Sequence, residues 1–526
     1  LELGAGDART LGLEMDRASV IVFDVRDGSG EGIPCKVQFI GIDGTDSPDL
    51  GPATRAHGCL DQYHSEGGRF EVPVAPGDYR VVVTRGIEFS HLAKEVSLRP
   101  GRTELVKAKL RRLVDTRGWI STDFHNHSTP SGDNVTHSRD RVINLAAEQI
   151  EFAPTTEHNR LFDWQPFIEE LGLADELATI PGIELTGRGA HLNAFPYEPD
   201  PYGQDGGAPE WQFDPRLNAI VLRDFQRHWT DLMPERWVHL NHPNMSLDFV
   251  DRDRDGREDG GYRGLAELID GAEAWGAEIL ARSPWRIRER NGEEQVRHRR
   301  EFIWLQLLNR GHRYTAISVS DAHGVHGNGV GGWRSYVTSS SDRPAGVDWK
   351  EIVRNAKAGR VLITNGPFLT AATGDGVLPG GSARAQGSVS LRVKVQCTDW
   401  IDIDRVQVLV NGRQREDVNF TRQSHPDWFD DGVVKFQRDI DVPLSRDSHL
   451  IVVATGENYD LSVGYGSSWQ AEMKPVAYTN PIWVDVDGGG FTPNGDGLGW
   501  ELPVMGRTVE EVRAMLEAAG LDDSGV

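Results

Sequence analysis

The sequence predicts a multidomain protein with a central α/β barrel between two β-sandwiches. Three observations carry this. The chain has 526 residues, too many for one ordinary domain. Short runs of β-branched and aromatic residues, separated by Gly, Pro and Asp turns, fill both ends. Between them strands alternate with helical segments, and His, Asp and Glu clusters fall where those strands end, as on the active face of a barrel enzyme.

Residues 1–117 read as the first sandwich. SVIVFDV, CKVQFIG, GRFEVPV, DYRVVVTRG and KEVSLRPG are strand-like, and no helical period of useful length interrupts them. Residues 118–368 carry the alternation. WISTDFHNH precedes a helix over 139–149, and FAPTTEHN precedes one over 164–177. ATIPGIELT, AHLNAFPY and WVHLNHP follow, an amphipathic run over 293–310 leads into YTAISVSDAH, and 348–359 gives the last helix. Residues 369–500 return to β-structure with SLRVKVQ, RVQVLVNG, VVKFQRDIDV and HLIVVATG, and Asn411-Gly412 signals a hairpin. Residues 501–526 form a helical tail ended by Gly520.

The chain carries 56 basic and 80 acidic residues, a formal charge of −24. This balance argues against a nucleic-acid partner and against an anionic membrane surface. No apolar run approaches the roughly 20 residues that span a bilayer. The chain starts at Leu1 rather than Met, so a processed N-terminus and a secreted or periplasmic location are expected over a cytoplasmic one. Cys35 and Cys59 are close enough in sequence to pair, although three buried thiols, with Cys397, fit equally.

Nine residues have the chemistry of a metal centre: His125, His127, Asp133, His158, Glu184, His191, His242, Asp321 and His323. Imidazole and carboxylate bind zinc, manganese and iron. His125 and His127 are two apart on a strand, which puts both rings on one face. A buried carboxylate beside imidazoles is costly without a cation. Two or three divalent transition-metal ions are therefore expected. Water held between such cations is activated for hydrolysis without a serine nucleophile. His242, Glu184 and Asp321 are the catalytic candidates.

Other residues keep two readings each. Glu157 and His326 are candidate proton donors to a leaving group, or structural or exposed groups. The Gly-rich stretch 324–333 is a substrate-covering loop or a plain connection. Arg334 binds a substrate anion or sits on the surface. Glu273 supports the centre and its substrate or makes a salt bridge, and Asn365 lines the pocket or caps a turn. Asp251, Asp253 and Asp255 precede Gly256 in a DxDxDG pattern, with Asp259 as a late ligand. That pattern is a calcium loop or a solvated acidic loop; Tyr262 at the twelfth position rules out an EF-hand.

The motifs HNH, SGD, EH, GIE, a later His, HP and DAH occur in the order seen in the PHP superfamily, which this segment resembles. GWISTDFHNHS, TTEHN, SDAH and GRVLITNGPF are closer still to the CehA/McbA, carbaryl-hydrolase-like branch. The likeness covers 118–368 and extends to TNPIWVDVDG at 479–488, while APGDYRVVV resembles the transthyretin-like or carboxypeptidase-regulatory-like sandwich. The resemblance implies a distorted seven-stranded (β/α) barrel with up to three metals. His125, His127, Glu184 and Asp321 would hold the first. Glu184 would bridge to a second, held also by His191 and His242. Asp133, His158 and His323 would hold the third. Many members have a histidine where Asp133 stands, and a carboxylate there shifts preference toward harder ions.

The branch implies hydrolysis of an aryl ester or carbamate, and the superfamily a phosphoester, in each case on a small-molecule substrate. Arg160, Arg188 and Arg334 are the few cations in the ligand-bearing loops, so neutral esters are expected to turn over faster than phosphate monoesters. The reading from a different class is a glycan- or surface-binding protein with an inactive barrel. The intact ligand set speaks against it.

Overall fold

A computed structural model describes residues 19–229, 235–327 and 329–525. Residues 1–18, with the processed terminus expected at Leu1, lie outside the described residues, as does Asn328 of the Gly-rich stretch.

The first region is two β-sheets. One has strands Arg69–Val74, Ser19–Arg26 and Thr103–Lys109; the other has Gln62–Ser65, Cys35–Gly41, Gly77–Thr84 and Leu92–Leu98. Alternation decides which side chains face inward. Ile21, Phe23 and Val25 point into a core shared with Val37, Phe39, Val81 and Val83. Cys35, Cys59 and Cys397 are all buried and unpaired.

In the middle region a five-stranded sheet runs Thr315–Ala316, Gly271–Ala272, Trp237–Leu240, His191–Phe195, Ile183–Thr186. The first three strands are parallel and the last two antiparallel. Single parallel bridges, Thr122 to Phe152, Phe152 to Ala178, Thr155 to Pro181 and Asn126 to Ala322, join the remaining segments to one another, and His158 to Glu184 joins them to this sheet. The regular ladders therefore do not amount to the expected seven-stranded (β/α) barrel. The backbone leaves the extended line where it carries site residues: His242 and Asp321 have φ of 26° and 49°, a left-handed conformation that no ladder accommodates.

Strand Trp119–Thr122 pairs instead with Arg334–Thr338, which continues through Val361–Thr364 into Val476–Thr479 and a nine-stranded sheet. The expected boundary at residue 368 is thus crossed by hydrogen bonds. A three-stranded sheet, Phe368–Thr373, Ser388–Gln396 and Val434–Pro443, belongs to the same C-terminal core.

The helices differ from expectation in at least three places, one being Pro215–Trp229, where the sequence reading placed none. The helix expected over 164–177 is only Gln165–Glu170, because Gly172 turns left-handed at φ 68°. The run 293–310 splits. Glu293–His298 is a strand paired with Trp285–Arg290 across Asn291-Gly292, whose φ values of 55° and 79° suit a tight hairpin turn, and the helix begins only at Arg300. The helices Ser138–Ala147 and Trp349–Lys357 lie where the sequence puts them, and the tail helix Val509–Ala518 opens with a Thr508–Glu511 capping box. No helix among the described residues is long and apolar enough to cross a membrane.

The three regions meet at one buried ion pair. Lys36 of the first sandwich donates to Glu148 at the end of helix Ser138–Ala147, and its ammonium sits 4.5 Å from the Tyr465 ring centroid. Nearby, the Ala53 carbonyl accepts from the backbone N–H groups of Val325 (2.7 Å) and His326 (2.9 Å). Both members of the pair are about 3% exposed. Lys36→Ala strands Glu148 without its cation and should cost about 3–5 kcal/mol. The double change Lys36→Met with Glu148→Leu should recover most of it. Chemical denaturation of the three proteins decides; an unaffected single variant would show that the pair contributes nothing.

Candidate metal centre

Four side-chain atoms converge, with both histidine nitrogens in reach of both carboxylates. His125 Nε2 lies 3.0 Å from His127 Nε2; each lies 3.1 Å from Glu184 Oε2 and 3.3 Å from Asp321 Oδ1. Four ligands at zinc-like bond lengths stand about 3.3 Å apart. The donor set therefore fits a cation at its middle. His125, His127 and Glu184 are fully buried.

Two further groupings share these atoms. On the other oxygen of Glu184, Oε1, His191 Nδ1 stands at 2.9 Å and His242 Nε2 at 3.7 Å. Asp133 Oδ2 lies 3.3 Å from His158 Nε2 and 3.4 Å from His323 Nε2, while His158 Nδ1 is 3.0 Å from Glu184 Oε2. The structure thus brings all nine sequence-predicted residues to one place.

Neighbours fix the orientation of these rings. Glu273, 1% exposed, takes the Nδ1 of His125 at 2.6 Å on Oε1 and the backbone N–H of His242 at 2.5 Å on Oε2. That bond turns the Nε2 lone pair of His125 toward the centre. Ser131 Oγ, 3.0 Å from His127 Nδ1, donates to Glu157, which also accepts from Ser128. Asn241 Nδ2 donates to Glu184 Oε1 at 2.8 Å and to Asn193 at 2.7 Å. The buried guanidinium of Arg141 clasps the carbonyls of His127 and Ala322 at 2.8 and 2.9 Å, joining the first and last ligand loops. Asn241 and Asn193 sit one and two residues from His242 and His191, the only sequence signal they gave.

Several expectations need correcting. Arg334 is fully buried and spends its guanidinium on the carbonyls of Glu148, Gln149 and Gly331, so no substrate reaches it. Asn365 is equally buried: it donates to the Lys474 carbonyl and accepts from the Val476 N–H, joining two strands. Glu273 holds His125 and His242 and faces no open space. Glu157 is consumed by Ser128 and Ser131, and His326 lies against Ser467 and Asp61, so neither serves a leaving group. The Gly-rich stretch is packed rather than free: a side chain at Gly331 would strike Glu148, and one at Gly332 would strike Gln470.

The acidic loop is a separate grouping. The carboxylates of Asp251, Asp253 and Asp255 lie within 4.8 Å of one another. Asp251 is fully buried; its Oδ2 accepts from Gly256 N–H at 3.0 Å, and its Oδ1 has no partner among the described residues. Asp259 turns Oδ1 onto the N–H groups of Arg252 and Gly261.

Beside His242 opens a cleft of about 850 Å³, lined by the hairpin 285–298, the start of the helix Arg300–Asn309 and the segment 469–474. Six of its lining residues are Arg or Lys and three are Glu, so the cleft is locally cationic in an acidic protein.

No family model and no curated protein matches the chain. Among solved structures it is similar to Endonuclease Q in complex with a 27-mer duplex substrate bearing an abasic lesion at the active site (12% identity over 61% of this chain and 70% of that one, TM-score 0.29). It is also similar to the lesion-specific endonuclease PfuEndoQ from Pyrococcus furiosus (11%, 61% and 69%, TM-score 0.29) and to a streptococcal ancillary pilin (16%, 21% and 36%, TM-score 0.15). At these scores the site is read from its own geometry. The exclusion of nucleic acid drawn from net charge does not stand. A whole-chain sum of charge says nothing of a cationic cleft.

The electrostatics carry a pH signature. Burial opposes charge on His127, but hydrogen bonds to Asp321 and Glu184 prevail and raise its pKa from 6.5 to about 9. Burial likewise disfavours the charge on Glu184, yet His125, His127 and His191 hold its carboxyl well below the usual range. In metal-free protein the proton on His127 stabilises the fold fully below pH 6.5, and that stability is lost as pH rises through about 9. A bound cation replaces the proton. The melting temperature of chelated protein should therefore fall further behind that of metal-loaded protein from pH 6.5 to 9. Distant groups such as Glu151, pushed up to about 8 by burial, cancel in the difference. A gap that stays constant across the window would refute the assignment.

Proposed function

We propose that the protein is a metal-dependent hydrolase of ester-type bonds, with His125, His127, Glu184 and Asp321 holding one cation and Glu184, His191 and His242 a second. The carrying observation is Glu184, whose Oε2 faces His125 and His127 while Oε1 faces His191 and His242. A third cation belongs to Asp133, His158 and His323. Zinc, manganese and iron all suit imidazole and carboxylate donors. When bound, such cations polarise the scissile group and lower the pKa of water. The chain's own contribution is to hold the donors: Glu273 and Ser131 fix the tautomers of His125 and His127, and Asn241 keeps Glu184 from rotating.

The motif resemblance supports the PHP superfamily at this level. The CehA/McbA branch, and with it an aryl ester or carbamate as the bond cleaved, rests on sequence wording alone; a phosphoester uses the same donors. The (β/α)7 barrel and the domain limits 1–117, 118–368, 369–500 and 501–526 belong to the same proposal.

Glu184→Gln should lose metal from two sites and activity to background, whereas Asp133→Ala should lose only one metal. Elemental analysis beside turnover of 4-nitrophenyl acetate and bis(4-nitrophenyl) phosphate checks both. A Glu184→Gln protein with full stoichiometry and rate would remove the basis of the reading.

For the acidic loop the donors are all oxygen, which suits calcium over a transition metal, and the unpartnered buried Oδ1 of Asp251 is the group such an ion would satisfy. Calcium should raise the melting temperature of the wild type but not of Asp251→Asn, with transition-metal content equal in both. An equal rise in both proteins would dismiss calcium there.

A further inference from the structure

The cationic cleft beside His242 has no counterpart in the sequence-based expectation of a neutral substrate. Its charges are unevenly compensated. Glu278 alone faces Arg286 at 2.8 Å, Arg299 at 2.8 Å and Arg288 at 3.6 Å. Arg300 differs from all three. It begins the helix Arg300–Asn309, is half-buried, and its guanidinium has no hydrogen-bond or ion-pair partner among the described residues. Arg300 and His242 line one cleft, so the guanidinium opens onto the same space as a histidine of the centre. A half-buried arginine whose donors find no acceptor is poised for an oxyanion from outside the chain.

The same cleft offers flat apolar surface. Trp275 and Trp333 stand 5.0 Å apart, ring centroid to centroid, and Trp469, more than half exposed, stands in its lining. The indole N–H of Trp275 is buried without an acceptor among the described residues. A cavity with aromatic walls and a few unspent donors selects a ligand with a planar ring and an acceptor at a fixed spacing.

We propose that this cleft is the substrate-recognition site and takes an ester that carries its own negative charge and a planar ring, with Arg300 holding the oxyanion beside the centre. The phosphodiester is the chemistry that meets both conditions, because the bond to be cleaved and the charge are one group. This rests on the hydrolase reading above but goes further: it names Arg300, and not Arg334, as the residue that separates anionic from neutral esters. Hairpin 285–298 supplies the surrounding field and does not touch the reacting atoms.

The test compares wild type, Arg300→Ala and Arg300→Lys at equal metal content by elemental analysis. Substrates are bis(4-nitrophenyl) phosphate, a fluorophore-labelled single-stranded oligonucleotide and the neutral 4-nitrophenyl acetate. Arg300→Ala should lower kcat/KM on the charged substrates by about tenfold or more, the scale of a charged hydrogen bond, with Arg300→Lys intermediate and the acetate unchanged within about twofold. Whichever charged substrate shows the loss tells a small diester from a polymer. Equal loss on the acetate, or no loss on either charged substrate, overturns the proposal. Should the wild type hydrolyse none of them, the hydrolase reading fails by itself, and quenching of tryptophan fluorescence by phenylphosphonate still judges the cleft. Binding weakened about tenfold in Arg300→Ala supports the anion site, and equal binding by both proteins overturns it.

Discussion

A carboxylate with no exposed surface is the constraint around which the middle region is organised. Glu184 could not remain ionised in an apolar interior, and yet imidazoles on both its oxygens keep it so. Those rings are useful only if their nitrogens point inward. Hence a further layer of polar contacts appears behind them: Glu273 behind His125, Ser131 and Glu157 behind His127, Asn241 against the carboxylate itself. The left-handed backbone at His242 and Asp321 belongs to the same demand, since an extended strand would carry those side chains past the centre.

The nine clustered residues were legible in the sequence from their chemistry and their grouping in short motifs, not from strand alternation: His125 and His127 lie beyond the end of strand Trp119–Thr122, and Asp321 is left-handed at φ 49°. The sandwich strands were legible from alternation between turn residues. What failed were inferences from nearness along the chain. Arg334 and Asn365 lie close to ligand motifs in sequence, but their side chains turn inward to backbone carbonyls and strand edges. Arg300 lies some twenty residues before Asp321 and is brought to the cleft beside His242 only by a helix that the sequence reading began seven residues too early. Asn291-Gly292 was the local signal for that break, masked by charged residues on either side.

Composition misled on charge for a physical reason. A sum over 526 residues averages a surface whose acidic excess is spread widely, while the cleft concentrates guanidinium groups around a single carboxylate, Glu278. An approaching ligand responds to the local field at the distance of a Debye length, not to the total.

The carbonyl of Ala53 ties the first sandwich to the loop after His323. It captures the two N–H groups just beyond the last ligand loop, so a module that supplies no ligand nonetheless sets where that loop ends. Such a module is not freely interchangeable. Recombination that replaced it with another sandwich of equal stability would succeed only where the newcomer offered an acceptor at the same spot. Swapping the sandwich is thereby a change to the loop after His323 as well, felt at a distance from the seam itself.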